Sequence, residues 1–160
     1  MANVRQFNLS LDTFGKQQPK ILSALMRRGA FLMLRDLVQG SPVDTGRFRG
    51  SWFVGIGQAD RSVISDKMIG AGGGARETDK QRNKRQRKNA RLTGVESMSR
   101  LGLLTPETVT GKEPIILSNN LPYGQALADG SSTQAPKGWI RAAVTRAALE
   151  LNVVKVKEGV

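Results

Sequence analysis

The chain has 160 residues, enough for one domain with a sizeable hydrophobic core. It carries 25 basic and 13 acidic residues, and this net charge of +12 predicts attraction to polyanions and to acidic protein surfaces. Because it contains no Cys and no His, disulfides, thiolate metal sites and a histidine proton shuttle are excluded.

The N-terminal half predicts a strand followed by a long helix. In "RQFNLSL", residues 5–11, apolar and polar residues alternate with the period of a strand. Apolar residues then recur at helical spacing over residues 18–39, with Pro19 suited to a first helical turn and Gly40 acting as a stop signal.

A turn and a second strand are predicted after this helix. "SPVDTG", residues 41–46, is rich in turn-forming residues, and "RFRGSWFVGIG", residues 47–57, favours a strand. We expect "RSVIS", residues 61–65, to pair with this strand as a hairpin. Three residues of the strand share one face: Trp52, Val54 and Ile56.

Residues 67–112 show no clear periodicity and predict an insertion arm that is mobile in the free protein. The arm contains the glycine-rich stretch 70–75, interpreted as a hinge because it lacks the Gly-Lys-Ser/Thr ending of a phosphate-binding loop. It also contains "RETDKQRNKRQRKNAR", residues 76–91, in which eight of sixteen residues are Lys or Arg. A helix over 82–91 is left open, since no apolar seam accompanies it.

Regular structure is predicted again after the arm. "EPIILSNN", residues 113–120, favours a buried strand, a short helical turn follows Pro122 and ends at Gly130, and an amphipathic helix begins at Trp139. The predicted fold is one α+β domain spanning 1–160, a small antiparallel or mixed sheet packed by a long helix and a C-terminal helix. The apolar stripe of the last helix comprises Ile140, Ala143, Val144, Ala147, Leu151 and Val154.

The sequence predicts no catalytic, cofactor or metal site, so an enzyme is not expected. The carboxylates are dispersed, which ranks a metal-dependent nuclease lowest, and serine hydrolysis lacks its usual His base. The longest apolar clusters, such as residues 30–34, fall far short of the roughly 20 residues that span a bilayer. With no signal-peptide layout at the N-terminus, we expect no membrane association.

The basic run 76–91 is the strongest single feature, and two partners stay open for it. It could contact nucleic-acid phosphates without reading sequence, or it could bind an acidic protein. The run contains no aromatic residue, so base stacking is not expected. The candidate contact residues are Arg82, Lys84, Arg85, Arg87, Lys88 and Arg91.

Two segments together resemble the neck and tail-completion (tail-component) proteins of tailed bacteriophages. They are "SPVDTGRFRGSWFV", residues 41–54, and "ILSNNLPYGQALADGSSTQAPKGWIRAAVTRA", residues 116–147. The resemblance covers residues 15–66 and 113–155 and leaves out the arm; Asp129 stands where Glu is more usual. The residues that carry it are Pro42, Asp44, Thr45, Gly46, Arg47, Arg49, Ser51, Tyr123, Asp129, Gly130, Pro136 and Trp139.

The resemblance implies a structural virion protein without catalysis. Such proteins form rings, commonly hexameric, around the DNA channel of the head–tail junction, where they join head connector to tail tube as neck, tail-completion or tail-terminator subunits. Its partners would be copies of itself, other neck, connector and tail-tube proteins, and the genomic DNA; it would occupy the virion, and the host cytoplasm during assembly. The alternative is a small basic nucleic-acid-binding module acting through residues 76–91. Candidate subunit contacts are Asp44, Thr45, Gly46, Arg47, Arg49, Tyr123 and Asp129.

Overall fold

The computed structural model describes residues 4–64 and 76–158, with side chains described over 18–64 and 76–152. The fold is α+β, as predicted, with a long N-terminal helix that packs against the C-terminal helix. A short 3-10 turn, Arg100–Leu103, comes after the third helix. The elements in chain order are α1 (Val4–Gly40), α2 (Arg47–Gly50), β1 (Trp52–Ile56), α3 (Asp79–Ser99), β2 (Ile115–Asn119), α4 (Gly124–Ala128) and α5 (Trp139–Glu158).

The sheet consists of β1 and β2, which pair antiparallel with Trp52 opposite Asn119. The predicted hairpin with residues 61–65 is wrong, because residues 61–64 form no strand and Ser65 lies outside the described residues. Residues 58–62 instead turn back beside β2, where the Ser118 hydroxyl donates to the Asp60 carbonyl at 2.7 Å. A two-stranded sheet is marginally stable by itself, so this one depends on the helices that cover it.

Helix α1 is longer than the sequence predicts. The expected strand at 5–11 is wrong, because the helix runs unbroken from Val4 to Gly40 and passes through Pro19. Once a helix is nucleated, each added residue gains a hydrogen bond, and residues 4–17 contain no proline to stop it. Seven residues of alternating pattern were therefore too weak a signal against the continuing helix.

Small residues let α5 lie close to α1. Ala143 and Ala147 are 0% and 2% exposed on the buried side of α5. A Cβ at Gly29 would lie 3.3 Å from the Leu151 Cδ2, which explains a glycine inside α1. Of the predicted stripe on α5, Val144 is instead 37% exposed, and Val154 lies outside the described side chains.

An ion pair also joins the two long helices. The Arg35 guanidinium donates to both carboxylate oxygens of Glu150, at 3.2 and 2.6 Å, and to the Asp36 carboxylate at 2.8 Å. These bonds raise the pKa of Arg35 and lower that of Glu150. Two-point guanidinium–carboxylate geometry adds geometric specificity to the packing of the two helices.

The largest difference from the sequence-based prediction is helix α3, which lies within the predicted arm. Residues 67–112 were expected to lack regular structure, yet 79–103 form α3 and the 3-10 turn, and α3 packs against α1 and α2. The glycine run 70–75 lies outside the described residues. The basic run is therefore built onto the body of the domain as a helix.

The packing of α5 predicts opposite effects at two adjacent alanines. Ala143→Leu adds bulk where no space is left and should destabilise the protein by about 1–3 kcal/mol. Ala142→Leu, on the exposed side, should change the free energy of unfolding by less than about 0.5 kcal/mol. Urea unfolding of both variants checks this, and equal destabilisation would contradict the placement of α5.

Candidate functional site

The one-turn helix α2 has every backbone carbonyl hydrogen-bonded to a side chain. A helix of four residues cannot satisfy these groups internally, because the last four carbonyls of any helix lack intrahelical donors. The donors come from β2, α3, the 3-10 turn and the residue after α2, so distant parts of the chain converge on this helix. The pairs are Ser51 Oγ to Arg47 O at 2.7 Å, Asn119 Nδ2 to Phe48 O at 2.9 Å, Ser97 Oγ to Arg49 O at 2.7 Å and Arg100 Nη1 to Gly50 O at 2.7 Å.

Arg100 extends this capping to the sheet. The same guanidinium also donates to the Trp52 carbonyl on the open edge of β1, and it lies over the Phe53 ring at 3.9 Å from the centroid. Burial lowers the pKa of Arg100, while Glu96 and Asp60 act in the opposite direction. An arginine keeps its charge in such a site, so Arg100 is a fixed cation that pairs with one carbonyl on this edge of the sheet.

The 41–46 turn lies directly against α3. Gly46 adopts φ 89°, a conformation that favours glycine, and a Cβ there would lie 2.7 Å from the Thr93 Cγ2. The Asp44 carbonyl accepts from Arg85 Nη1 at 2.9 Å and from Asn89 Nδ2 at 3.0 Å. Residues 44–46, "DTG", thus bring the backbone of the turn close to α3.

A charged clamp holds the start of α3 to this turn. Arg85 donates to both oxygens of Glu77, each at 2.9 Å, and contacts the Asp44 carboxylate at 2.8 Å. The side chains of Arg85 and Glu77 are only 13% and 14% exposed. Arg85 holds the pKa of Glu77 below its usual value, and the pKa of Arg85 is raised in return.

The second motif segment packs on the first. The Gln134 side chain brackets Val43, accepting from its N–H at 2.8 Å and donating to its carbonyl at 3.0 Å. The Phe48 ring contacts three aromatic rings with centroid distances of 5.9–6.2 Å, those of Trp52, Tyr123 and Trp139. The segments 41–54 and 116–147 therefore form one structural unit.

An open cleft of about 190 Å³ lies where these segments meet. Tyr123 at its margin is 40% exposed, and burial raises its pKa, opposed by Arg47. Asp129 is exposed nearby on the chain and accepts from Gln125 Nε2 at 3.2 Å without lining the cleft. Five of the seven predicted contact residues line it: Asp44, Thr45, Gly46, Arg47 and Tyr123.

Arg49, one of the candidate subunit contacts, is turned inward. Its Nη2 donates to the carbonyls of Gln39 and Ser41, both at 3.0 Å, at the C-terminal end of α1. Burial lowers its pKa. Arg49 therefore acts within the subunit as a helix cap, and its role in contacts between subunits stays a prediction.

The predicted basic contact residues divide between two sides of α3. Arg85 points into the clamp, and Arg82 is exposed but lies 3.3 Å from the Asp79 carboxylate. The helix side that faces the body carries small polar residues, namely the buried Asn89, Thr93 and Ser97. Lys84, Arg87, Lys88 and Arg91 are exposed, and so is Lys80, which the sequence pattern did not single out.

Two sequence signals for α3 were missed. "TDKQ", residues 78–81, is a capping box, with Gln81 N donating to Thr78 Oγ1 at 3.4 Å and Thr78 N donating to Gln81 Oε1 at 2.9 Å. Asn89, Thr93 and Ser97 recur every fourth residue, which places them on one helix face. Both signals consist of polar residues, whereas the predicted helices were identified from the spacing of apolar residues.

The Gly46 geometry predicts a destabilising substitution. Gly46→Ala forces a left-handed alanine, which costs about 1–2 kcal/mol, and also brings its Cβ into the Thr93 side chain. The measurement is the free energy of unfolding in urea. Gly94→Ala is the matched control, because its Cβ would meet only Val38 Cγ1 at 3.6 Å and Arg49 Cδ at 3.9 Å in a helix, where alanine is favoured.

A double mutant separates the backbone cost from the contact. Thr93→Ser removes the Cγ2 atom but keeps the hydroxyl that donates to the Asn89 carbonyl at 2.7 Å. Gly46→Ala should therefore cost less in the Thr93→Ser background than in the wild type. If the two costs are equal, the Thr93 methyl group contributes nothing to the cost of a side chain at Gly46.

The Glu77–Arg85 clamp predicts a pH-dependent stability. Because the pKa of Glu77 is held below 4.5, its contribution is fully present above pH 4.5 and is lost as the pH falls through the lowered value. The melting-temperature difference between wild type and Glu77→Gln should be largest above pH 4.5 and shrink in more acidic buffer. Glu113→Gln, at an exposed carboxylate, removes one negative charge outside the clamp and gives the baseline against which the Glu77→Gln difference is compared.

Comparison of the chain with protein-family models, with curated proteins and with solved structures finds no match to any of them. Within residues 4–64 and 76–158, no three acidic side chains gather in a way that could hold a metal ion. No helix in the same described ranges is both long and apolar enough to cross a membrane. The convergence of the two motif segments on α2 is therefore the main ground for a functional proposal.

Proposed function

We propose that the protein is a structural subunit of the phage head–tail junction, a neck, tail-completion or tail-terminator protein. It acts by forming a ring, with six copies as the expected number, around the DNA channel between head connector and tail tube. The proposal includes no catalytic step. Its partners are copies of itself and the neighbouring neck, connector and tail-tube proteins, in the virion and, during assembly, in the host cytoplasm.

One observation supports this proposal above the others. The two segments on which the resemblance was based, 41–54 and 116–147, lie apart in sequence but meet around Phe48 and enclose one cleft. Two polar side chains of the first segment hold its own main chain in place, because Ser51 and Arg49 donate to the carbonyls of Arg47 and Ser41. A site built this way presents a rigid shape, which suits contact between subunits.

The surface of the subunit also favours assembly. Large apolar side chains remain exposed, among them Leu92 at 56%, Val95 at 66% and Leu103 at 57%. An open groove of about 460 Å³ between α1, β2 and α5 is lined mainly by apolar side chains, including Leu22, which is 46% exposed. Exposed apolar patches of this kind mark interaction surfaces, and copies of the chain in a ring would cover them.

The proposal predicts self-association that depends on the cleft. Light scattering after gel filtration should give a mass of several subunits, and negative-stain microscopy should show rings, alone or after mixing with connector and tail-tube proteins. Tyr123→Glu places a charge at the cleft margin and should lower the ring fraction at least tenfold. Thr145→Glu adds the same charge at an exposed polar residue outside the cleft and should leave ring formation within about twofold.

A subunit that stays monomeric with and without those partners would refute the ring. If the Tyr123 and Thr145 variants lose rings equally, the protein still forms a ring, but the cleft is not part of the interface between subunits. Circular dichroism of each variant confirms that the helices are intact before either conclusion is drawn.

A further inference from the structure

Helix α3 carries one exposed, densely charged face. At 100° per residue, its cations fall within an arc of about 100°, opposite the buried stripe of Asn89, Thr93 and Ser97. They span eleven residue steps, about 16 Å along the helix axis. We call this the cationic face, and its five members are Lys80, Lys84, Arg87, Lys88 and Arg91.

Among the residues that the structure describes, nothing neutralises the cationic face. None of its five members forms an ion pair with another residue of the described ranges. Lys84 repels Lys88, and Arg87 repels Arg91, since each pair is four residues apart on the helix. An anion placed on the face would relieve this repulsion.

The face is also held rigidly. The Glu77–Arg85 clamp anchors its N-terminal end, and Ser97 and Arg100 fix the other end to the carbonyls of Arg49 and Gly50. The cations therefore sit on a fixed scaffold before any partner arrives. Preorganisation of this kind lowers the entropic cost of binding.

We propose that the cationic face binds the phosphate backbone of double-stranded DNA without reading its sequence. This rests on the proposed function for its setting, where the duplex would be the DNA in the channel of the ring. The binding itself requires only the face. The sequence left two partners open for this run, nucleic acid and an acidic protein, and this proposal selects nucleic acid.

The composition of the face favours DNA over an acidic protein. Protein interfaces are depleted in Lys and are anchored by aromatic or other bulky residues, whereas 76–91 contains no aromatic and three of the five cations are Lys. The exposed amides of Gln81 and Asn83 border the face and can donate to phosphate oxygens. Without a stacking residue, single-stranded DNA should bind more weakly than a duplex.

The number of cations sets the expected salt dependence. Neutralising up to five phosphates gives a slope of about −4 to −5 when the logarithm of the binding constant is plotted against that of the salt concentration. Fluorescence anisotropy with a labelled mixed-sequence duplex, titrated between about 50 and 200 mM NaCl, measures this slope. A second duplex of unrelated sequence should bind within about twofold, because phosphate contacts carry no sequence information.

The decisive comparison uses two variants with the same change in net charge. Replacing four cations of the face with Gln should weaken duplex binding at least tenfold at about 50 mM salt and reduce the slope by about 3–4. The matched control replaces four exposed cations elsewhere and should bind within about threefold of wild type. The face variant is K84Q/R87Q/K88Q/R91Q, and the control is R61Q/K112Q/K137Q/R141Q.

Two results would overturn the proposal. Equal weakening in both variants would show that net charge, and not the face, attracts DNA. Polyglutamate of matched charge binding as tightly as the duplex, with the same loss in the face variant, would assign the face to an acidic protein. The conservative variant K84R/K88R keeps the charges and should bind DNA like wild type. Circular dichroism of the face variant excludes a folding defect as the cause of weaker binding.

The same samples separate this proposal from the ring. Light scattering should show that the face variant assembles as wild type does, while anisotropy shows that its DNA binding is weakened. If wild type binds DNA through the face but never assembles, the proposed function fails and the DNA site stands. If rings form without any face-dependent DNA binding, the ring stands and the DNA site fails.

Discussion

The carbonyls of α2 impose the constraint on which the rest of the structure depends. Four residues make too short a helix to satisfy their own acceptors, and acceptors left unpaired in a buried position are costly. The chain meets this cost with donors on β2, on α3 and in Arg100. When these hydrogen bonds form, β2 lies beside β1 and α3 lies beside the 41–46 turn. The elements of the domain therefore pack around α2.

Helix α3 is attached to the body of the domain through polar contacts. Its inner face is made of Asn89, Thr93 and Ser97. Asn89 and Ser97 donate to the carbonyls of Asp44 and Arg49, while Thr93 donates to the Asn89 carbonyl within α3. Such a face demands specific partners, because a buried polar group must be paired. Small polar side chains also allow the close approach seen at Gly46. The outer face is left free to carry charge, since the packing of α3 does not depend on it.

How much could be predicted from sequence depended on which periodicity each element carries. The core part of α1, β2 and α5 have apolar patterns, and these were found. The partner of β1 was missed because a nearby run was preferred to β2, which lies some sixty residues away. For α3, the sequence left a helix over 82–91 open, and the full extent of 79–99 was missed because its pattern is polar. Within the site, the turn residues were predicted from the motif, but the destinations of Arg49 and Arg85 depend on carbonyls and carboxylates that only the folded chain brings near.

The cleft and the cationic face are joined through α3. Arg85 points inward to Asp44 at the cleft, while its sequence neighbour Lys84 points outward from the same helical turn. A partner seated in the cleft and an anion on the face would therefore be held at a fixed separation by α3. In the ring proposed above, α3 would set both the contacts with neighbouring subunits and the position of the charges. Helix α3 is also the element whose polar pattern made it hardest to predict from sequence.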